Sequence, residues 1–151
     1  MCGVAGIVGE SGAQHRQAVS RMLEAMGHRG PDGRGVWESP SGTCVLGHCR
    51  LAILDLSKSA EQPMQTGGGG CCLSYNGEIY NFRELRGELK ARGERLGSTG
   101  DTEVLLRVMV DEGTAVLRRL NGMFAFGLWN EGERTLVLAR DRFGQKPLYY
   151  A

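Results

Sequence analysis

Residues 122–130 read GMFAFGLWN, and their alternation decides what kind of fold this chain adopts. Side chains alternate across a strand, so Phe124, Phe126 and Leu128 share one face and Ala125 and Gly127 share the other. One face is bulky. The other is nearly flat, so helices or a second sheet can approach closely there. Glu-Gly-Glu at 131–133 then turns the chain into RTLVLAR at 134–140, which predicts a hairpin.

Upstream, the period changes from two to 3.6. Residues 101–113, DTEVLLRVMVDEG, predict a helix with Val104, Leu105, Val108 and Met109 inward and Gly113 as its stop. Residues 81–93, NFRELRGELKARG, predict another, with Asn81 as N-cap, Glu84 three positions on, Phe82, Leu85 and Leu89 on one face, and Gly93 after it. CCLSYNGEIY at 71–80 reads as strand, turn, strand, because Asn-Gly between apolar runs is the strongest short hairpin signal. The four glycines at 67–70 predict a loop or hairpin tip, with no Gly-Lys-Ser/Thr behind them to make a phosphate cradle. GVWES at 35–39 and TCVLGHCRLAIL at 43–54 predict strands, and HRGPDGRG at 28–35 a loop. Residues 14–27 predict a helix burying Val19, Met22, Leu23 and Met26, and GVAGIVG at 3–9 a short buried strand. This mixed order is not the strict alternation of a parallel doubly wound sheet. It predicts an α+β domain: two stacked sheets with helices outside.

The 151 residues suffice for one domain with a real core. Lys and Arg number 18 against 17 Asp and Glu, so a net charge of +1 gives no reason to expect nucleic acid or an anionic membrane. No apolar run reaches the roughly 18 residues of a membrane span, and no basic stretch followed by an apolar one marks a secretory leader. Five cysteines, an odd number without Cys-x-x-Cys, argue against a disulfide framework and point to the cytoplasm. A metal site is not expected either. Cys44 and Cys49 fall on opposite faces of a strand, and so do Cys71 and Cys72.

Cys2 directly follows Met1. Read simply, it is a small buried hydrophobe at the head of a strand. If Met1 is removed, however, Cys2 carries a thiol and a free α-amine on one residue. Such an amine, with an ordinary pKa of roughly 7.7–8.0, can act as base for its own thiol.

Seven stretches follow Cys2 in fixed order: HRGPDG (28–33), GHCRLAILDLS (47–57), QPM (62–64), NGEIYN (76–81), STGDTEVLL (98–106), LNGMFAFGLWN (120–130) and ARDRFGQKPLYY (139–150). Together they closely resemble the glutaminase domain of glutamine-hydrolysing asparagine synthetases, which are class II amidotransferases with an N-terminal nucleophile. The resemblance runs from Met1 to Tyr150. It implies the four-layer αββα sandwich of N-terminal-nucleophile hydrolases, and the cleavage of L-glutamine to glutamate and ammonia. It assigns the nucleophile to Cys2 and the oxyanion hole to the Asn76 amide and the Gly77 backbone N–H. Arg50 becomes the clamp for the substrate carboxylate, Asp101 the acceptor for its ammonium, and Glu78 a further pocket residue. The backbone around Leu51 and Ile53 becomes a source of carbonyl contacts to that ammonium. Each carries a plainer reading: Asn76-Gly77 as a turn, Arg50 as a surface arginine, Asp101 as a helix N-cap. The Cys2 amine supplies the base, so His28 needs no catalytic role; the HRGPDG loop packs behind the nucleophile.

Cys49 and Ala52 stand where the family often has a polar residue and serine, and flank Arg50 closely enough to tune the pocket. The family's glutaminase domain normally runs some tens of residues past GQKPLYY, so the chain reads as incomplete at its C-terminal end. The ATP-pyrophosphatase motif of a synthetase domain is absent from these residues. The resemblance therefore implies no cofactor in this chain, with ATP and magnesium confined to a synthetase domain or subunit that amidates aspartate, and a homodimer as one possible assembly. A catalytically silent docking module with the same fold is the alternative.

Overall fold

The computed structural model describes residues 1–10, 12–52 and 57–151. In chain order its elements are β1 (Gly3–Val8), α1 (Gly12–Ala25), β2 (Gly33–Glu38), β3 (Cys44–Arg50), β4 (Met64–Gln65), β5 (Cys71–Ile79), α2 (Phe82–Ala91), α3 (Asp101–Glu112), β6 (Gly122–Asn130) and β7 (Thr135–Arg140). All strand pairs are antiparallel and form two sheets, ordered β1-β3-β2 and β4-β5-β6-β7.

Helix α1 covers the outer face of the first sheet, packing Val19 and Leu23 on Val45 and Cys49. Gly47 lies beneath it. A Cβ there would come within 2.6 Å of Val19 Cγ1, so the missing side chain lets the helix settle on β3. Helices α2 and α3 cover the second sheet, where Leu85, Leu89, Val104, Leu105 and Val108 join Leu73, Ile79, Phe124 and Phe126 in the main core. The two inner faces meet over Cys44, Leu46, Cys72 and Trp129. The layers therefore run helix, sheet, sheet, helix, as expected. The nearly flat face of β6 is turned to the first sheet, since a Cβ on Gly127 would lie 3.8 Å from Leu46 Cδ2. Among the described residues no helix is long and apolar enough to cross a membrane.

Several local expectations are corrected. Residues 71–79 form one unbroken strand, not two strands with a turn at Asn76-Gly77, because β6 offers a nine-residue partner and pairs Asn76 with Ala125 and Gly77 with Phe124. Nonlocal pairing overrides the hairpin signal. Strand β1 is an edge strand of alternating burial and not a buried one. Strand β3 stops at Arg50, ahead of Leu51 and Ala52, because its partners start opposite it at Gly3 and Gly33, and residues 53–54 of the expected strand lie outside the described residues. Conversely, Gly33 and Arg34 leave the expected loop and join β2. Met22, expected inside, is 43% exposed. Asn81 precedes α2 but does not cap it with its side chain. Its amide instead receives the Asn121 N–H at 2.9 Å and donates to Arg119 O at 3.0 Å, tying α2 to the start of β6.

His48 is fully buried between the sheets. Its Nε2 lies 3.0 Å from Tyr75 O, an acceptor, so Nε2 carries the proton. Its Nδ1 is buried without a partner. Burial pushes the imidazole pKa down to about 4. The unfolded chain takes up this proton near pH 6.5 and the folded one only near 4, so this stability is complete above the higher value and drains away as pH falls between the two. Between pH 7.5 and 5 the loss is about 2 kcal/mol. Urea midpoints over this range are expected to fall with acidification, and a His48→Gln chain to lose most of that slope. Equal slopes would refute the assignment.

Candidate active site

Cys2 sits just ahead of β1, held from two sides. Its sulfur accepts the Leu51 N–H at 3.4 Å and lies 3.7 Å from Leu51 O. Its carbonyl accepts Arg29 Nε at 3.2 Å. Arg29 belongs to the HRGPDG stretch, which touches residue 2 through this hydrogen bond.

Around it lies a cavity of about 140 Å³, lined by Cys2, Arg50, Leu51, Asn76, Gly77, Glu78 and Asp101, together with Met1, Gln62 and Lys146. All the described residues predicted for the site thus meet in one place. Ile53 falls outside the described residues. Tyr75, Gln62 and Lys146 line the same cavity, although no sequence reading marked them as site residues. Gln62 and Lys146 stand inside the motifs QPM and GQKPLYY, which are their only sequence signal.

The geometry of β5 explains how the cavity gains a free donor. Phe124 turns its carbonyl to the Asp141 N–H at 2.8 Å and its N–H to Asp141 Oδ2 at 3.2 Å, both away from β5. Gly77 and Phe124 are therefore a non-hydrogen-bonded pair, and the Gly77 N–H points to the opposite edge of the strand. Strand β4 reaches only Leu73 and Cys72 along that edge. Beyond it, the Tyr75 N–H is taken by Gln62 Oε1 at 2.7 Å and the Ile79 N–H by Asp101 Oδ2 at 2.9 Å. Between them the Gly77 N–H opens on the cavity. The Asn76 side chain is buried and lines the cavity from the neighbouring position.

Asp101 is the first residue of α3; the N-cap position is Gly100, so the N-cap reading of Asp101 does not hold. Its Oδ2 accepts both the Tyr75 hydroxyl at 2.6 Å and the Ile79 N–H. Its Oδ1 makes no hydrogen bond among the described residues. Burial, followed by the Asp101 carboxylate, holds the Tyr75 phenol well above its ordinary pKa, so it stays a neutral donor. Helix α3 is tied down instead by Glu103, which accepts the N–H groups of Gly97 at 3.0 Å and Ser98 at 2.7 Å. Arg50 closes β3, and its Nη1 donates to Ser57 O at 3.1 Å.

One expectation changes. Cys49 does not tune the pocket. It faces α1, donates from Sγ to Leu23 O at 3.3 Å, and is pushed up in pKa chiefly by burial. The Leu51 carbonyl, expected to face a substrate ammonium, lies beside the Cys2 sulfur on the same cavity.

The glutaminase resemblance can be set against known proteins. A sequence profile of the glutamine amidotransferase domain matches residues 1–151. A provisionally named glutamine-hydrolysing asparagine synthetase of Mycobacterium bovis is 43% identical over 166 aligned positions, covering 100% of this chain and 25% of its own length. Glutamine-hydrolysing asparagine synthetase 3 of Bacillus subtilis is 40% identical, covering 99% of this chain and 25% of its own. The chain thus spans about a quarter of the length of these relatives. Among solved structures, the glutamine phosphoribosylpyrophosphate amidotransferase of B. subtilis, complexed with ADP and GMP, superposes with a TM-score of 0.76 at 22% identity, over 93% of this chain and 37% of that one. That likeness shows a shared fold. With a full-length profile match and relatives at 40% identity or more across the whole chain, this protein belongs to the glutamine amidotransferase domain family.

Proposed function

We propose that this domain hydrolyses the side-chain amide of L-glutamine, with Cys2 as nucleophile once Met1 has been removed. The supporting observation is one cavity that holds a thiol, an outward backbone N–H, a carboxamide, a guanidinium and a carboxylate, on Cys2, Gly77, Asn76, Arg50 and Asp101.

The chemistry proceeds in two halves. The freed α-amine of Cys2 accepts the thiol proton, and Sγ attacks the amide carbonyl carbon of glutamine. The Gly77 N–H and the Asn76 carboxamide receive the developing oxyanion, a role whose single donors typically carry about 100–1000-fold in rate. As the C–N bond breaks, the amine returns its proton to the leaving nitrogen, and ammonia departs. Water then attacks the thioester, losing a proton to the same amine, and glutamate leaves with the thiol restored. Arg50 and Asp101, opposite in charge, select a free amino acid by pairing with its carboxylate and ammonium. The ammonia passes to an ATP-dependent synthetase domain or subunit, with aspartate as acceptor. The full-length relatives, named as glutamine-hydrolysing asparagine synthetases, support this.

Intact mass after exposure to a glutamine-like diazo-ketone, with glutamate release followed in parallel, tests the proposal. Loss of Met1, one adduct on Cys2 and steady release are expected. An active chain that keeps Met1, or an adduct elsewhere, would overturn it. An Asp101→Asn chain is expected to raise KM for glutamine about 30-fold or more with a smaller change in kcat, since a charge-assisted contact to the ammonium is lost. An unchanged KM would remove Asp101 from substrate binding.

A further inference from the structure

Lys146 is buried, at 5% exposure, and lines the same cavity as Cys2. A buried ammonium ordinarily has a carboxylate beside it, because an unpaired charge away from water is costly. Among the described residues Lys146 has none. Its Nζ donates only to the Met1 thioether sulfur, at 3.1 Å. A thioether is a weak acceptor. Met1 is also the residue whose removal the proposed function requires, so the mature site takes away the lysine's one side-chain hydrogen bond among the described residues.

The fold holds this charge where it is. Asp141, buried after β7, accepts the N–H groups of Phe143 at 3.1 Å, Gln145 at 2.9 Å and Lys146 at 2.9 Å, besides that of Phe124. Burial works against its charged form, but these donors hold the carboxyl below the ordinary range. The turn is therefore fixed to β6, which pairs with the strand carrying Asn76 and Gly77. Nζ lies 3.1 Å from the sulfur of Met1, the residue whose peptide bond holds the Cys2 nitrogen, and Lys146 and Cys2 line the same cavity.

We propose that Lys146 is a positioning residue for the proposed glutaminase reaction. In this assignment its ammonium lies beside the freed α-amine of Cys2 and disfavours a second positive charge there. The amine stays unprotonated and able to take the thiol proton. The inference rests on the glutaminase reading, and among the described residues three of the other charged groups around Cys2 hydrogen-bond within the protein. Arg29 is on the Cys2 carbonyl, Arg50 on Ser57 O, and Asp101 on Tyr75 and Ile79; Glu78 lines the cavity with the opposite sign. Among the described residues, Lys146 is the charged group that hydrogen-bonds to the residue 1 side chain.

The test uses the Met1-processed chain with Lys146→Met, which keeps side-chain length, and Lys146→Arg, which keeps charge. Removing a cation several Å away is expected to move the acid limb of kcat/KM for glutamine up by about one pH unit, about a tenfold loss below that limb. Lys146→Arg is expected to stay near the parent profile. A limb that does not move in Lys146→Met overturns the assignment, and so does a pure KM increase, which would make Lys146 a substrate contact. Alkylation of Cys2 by iodoacetamide against pH, resolved by peptide mass, needs no turnover. Its midpoint is expected to rise in Lys146→Met and not in Lys146→Arg. If the parent chain hydrolyses no glutamine yet the midpoint moves in this way, the glutaminase reading fails while the charge assignment holds. If glutamine is hydrolysed and neither profile moves, the assignment fails alone. Should Lys146→Met not fold, Lys146→Gln decides by the same two profiles.

Discussion

A Cys2→Ala chain is expected to fold normally and to lose glutamine hydrolysis by at least about 10⁴-fold, the scale seen when a covalent nucleophile is deleted. The two halves of this expectation come from different parts of the molecule. Cys2 is only partly buried, its side chain touches the backbone of Leu51, and it lies outside all three apolar clusters. Its loss therefore opens no core cavity, and the melting temperature should shift by no more than a few degrees. The catalytic loss is near total because nothing else in the cavity replaces a thiol. The other four cysteines point elsewhere. Burial pushes Cys44 up to about 12 and raises Cys72 further, while Cys49 faces α1 and Cys71 packs on the main core. Glutamate release and diazo-ketone labelling, measured on the purified variant, check both halves. A folded Cys2→Ala chain that still hydrolyses glutamine would end the proposal.

Gly77→Ala is expected to damage both the fold and the site with a single methyl group. A Cβ at this position would strike the Met123 carbonyl oxygen and come within 2.7 Å of Phe124 Cα and 2.8 Å of Tyr75 Cε2. Two of these neighbours are backbone of the paired strand, which cannot rotate away. Relief requires β5 to part from β6, and this pairing holds the centre of the second sheet. A loss of about 3 kcal/mol or more follows, at the upper end for overpacking, or roughly 6–12 °C in Tm for a chain of this size. Activity should fall further than stability alone explains, since the same shift moves the Gly77 N–H. Gly87→Ala is the matched control. It lies within α2, where an added Cβ would meet nothing within 4 Å, so it should gain up to about 1 kcal/mol from helix propensity. Thermal unfolding of the two variants side by side settles the matter, and equal Tm values would contradict the packing argument.

Much of this architecture is legible from local pattern. The helical spacing of Leu85 and Leu89, and of Val104, Leu105, Val108 and Met109, matches the buried faces of α2 and α3. The alternation in β6 matches its two packed faces. The failures share one cause. Asn76-Gly77 carries a hairpin signal that holds only if nothing better pairs with the chain, and β6, some fifty residues on, pairs with it throughout. Asn81 looks like a cap until Arg119 and Asn121 are folded against it. Met22 lies on the apolar stripe of α1 but outside the cluster that Val19 and Leu23 form with the first sheet, and it is left exposed.

The order of small motifs and the periods of the apolar residues were sufficient for the family, the layered α+β class and the residue types of the site, because these properties reside in short stretches of chain. Only the tertiary structure decided which donors stay free and which charges stay alone. The Gly77 N–H is open because Phe124 is turned to Asp141 and β4 ends early. Lys146 stands at residue 1 because the turn after β7 brings together positions 145 residues apart. A hydrogen bond left unmade, or a cation left without a counter-charge, is a property of the surrounding space, and that space exists only once the distant segments have packed.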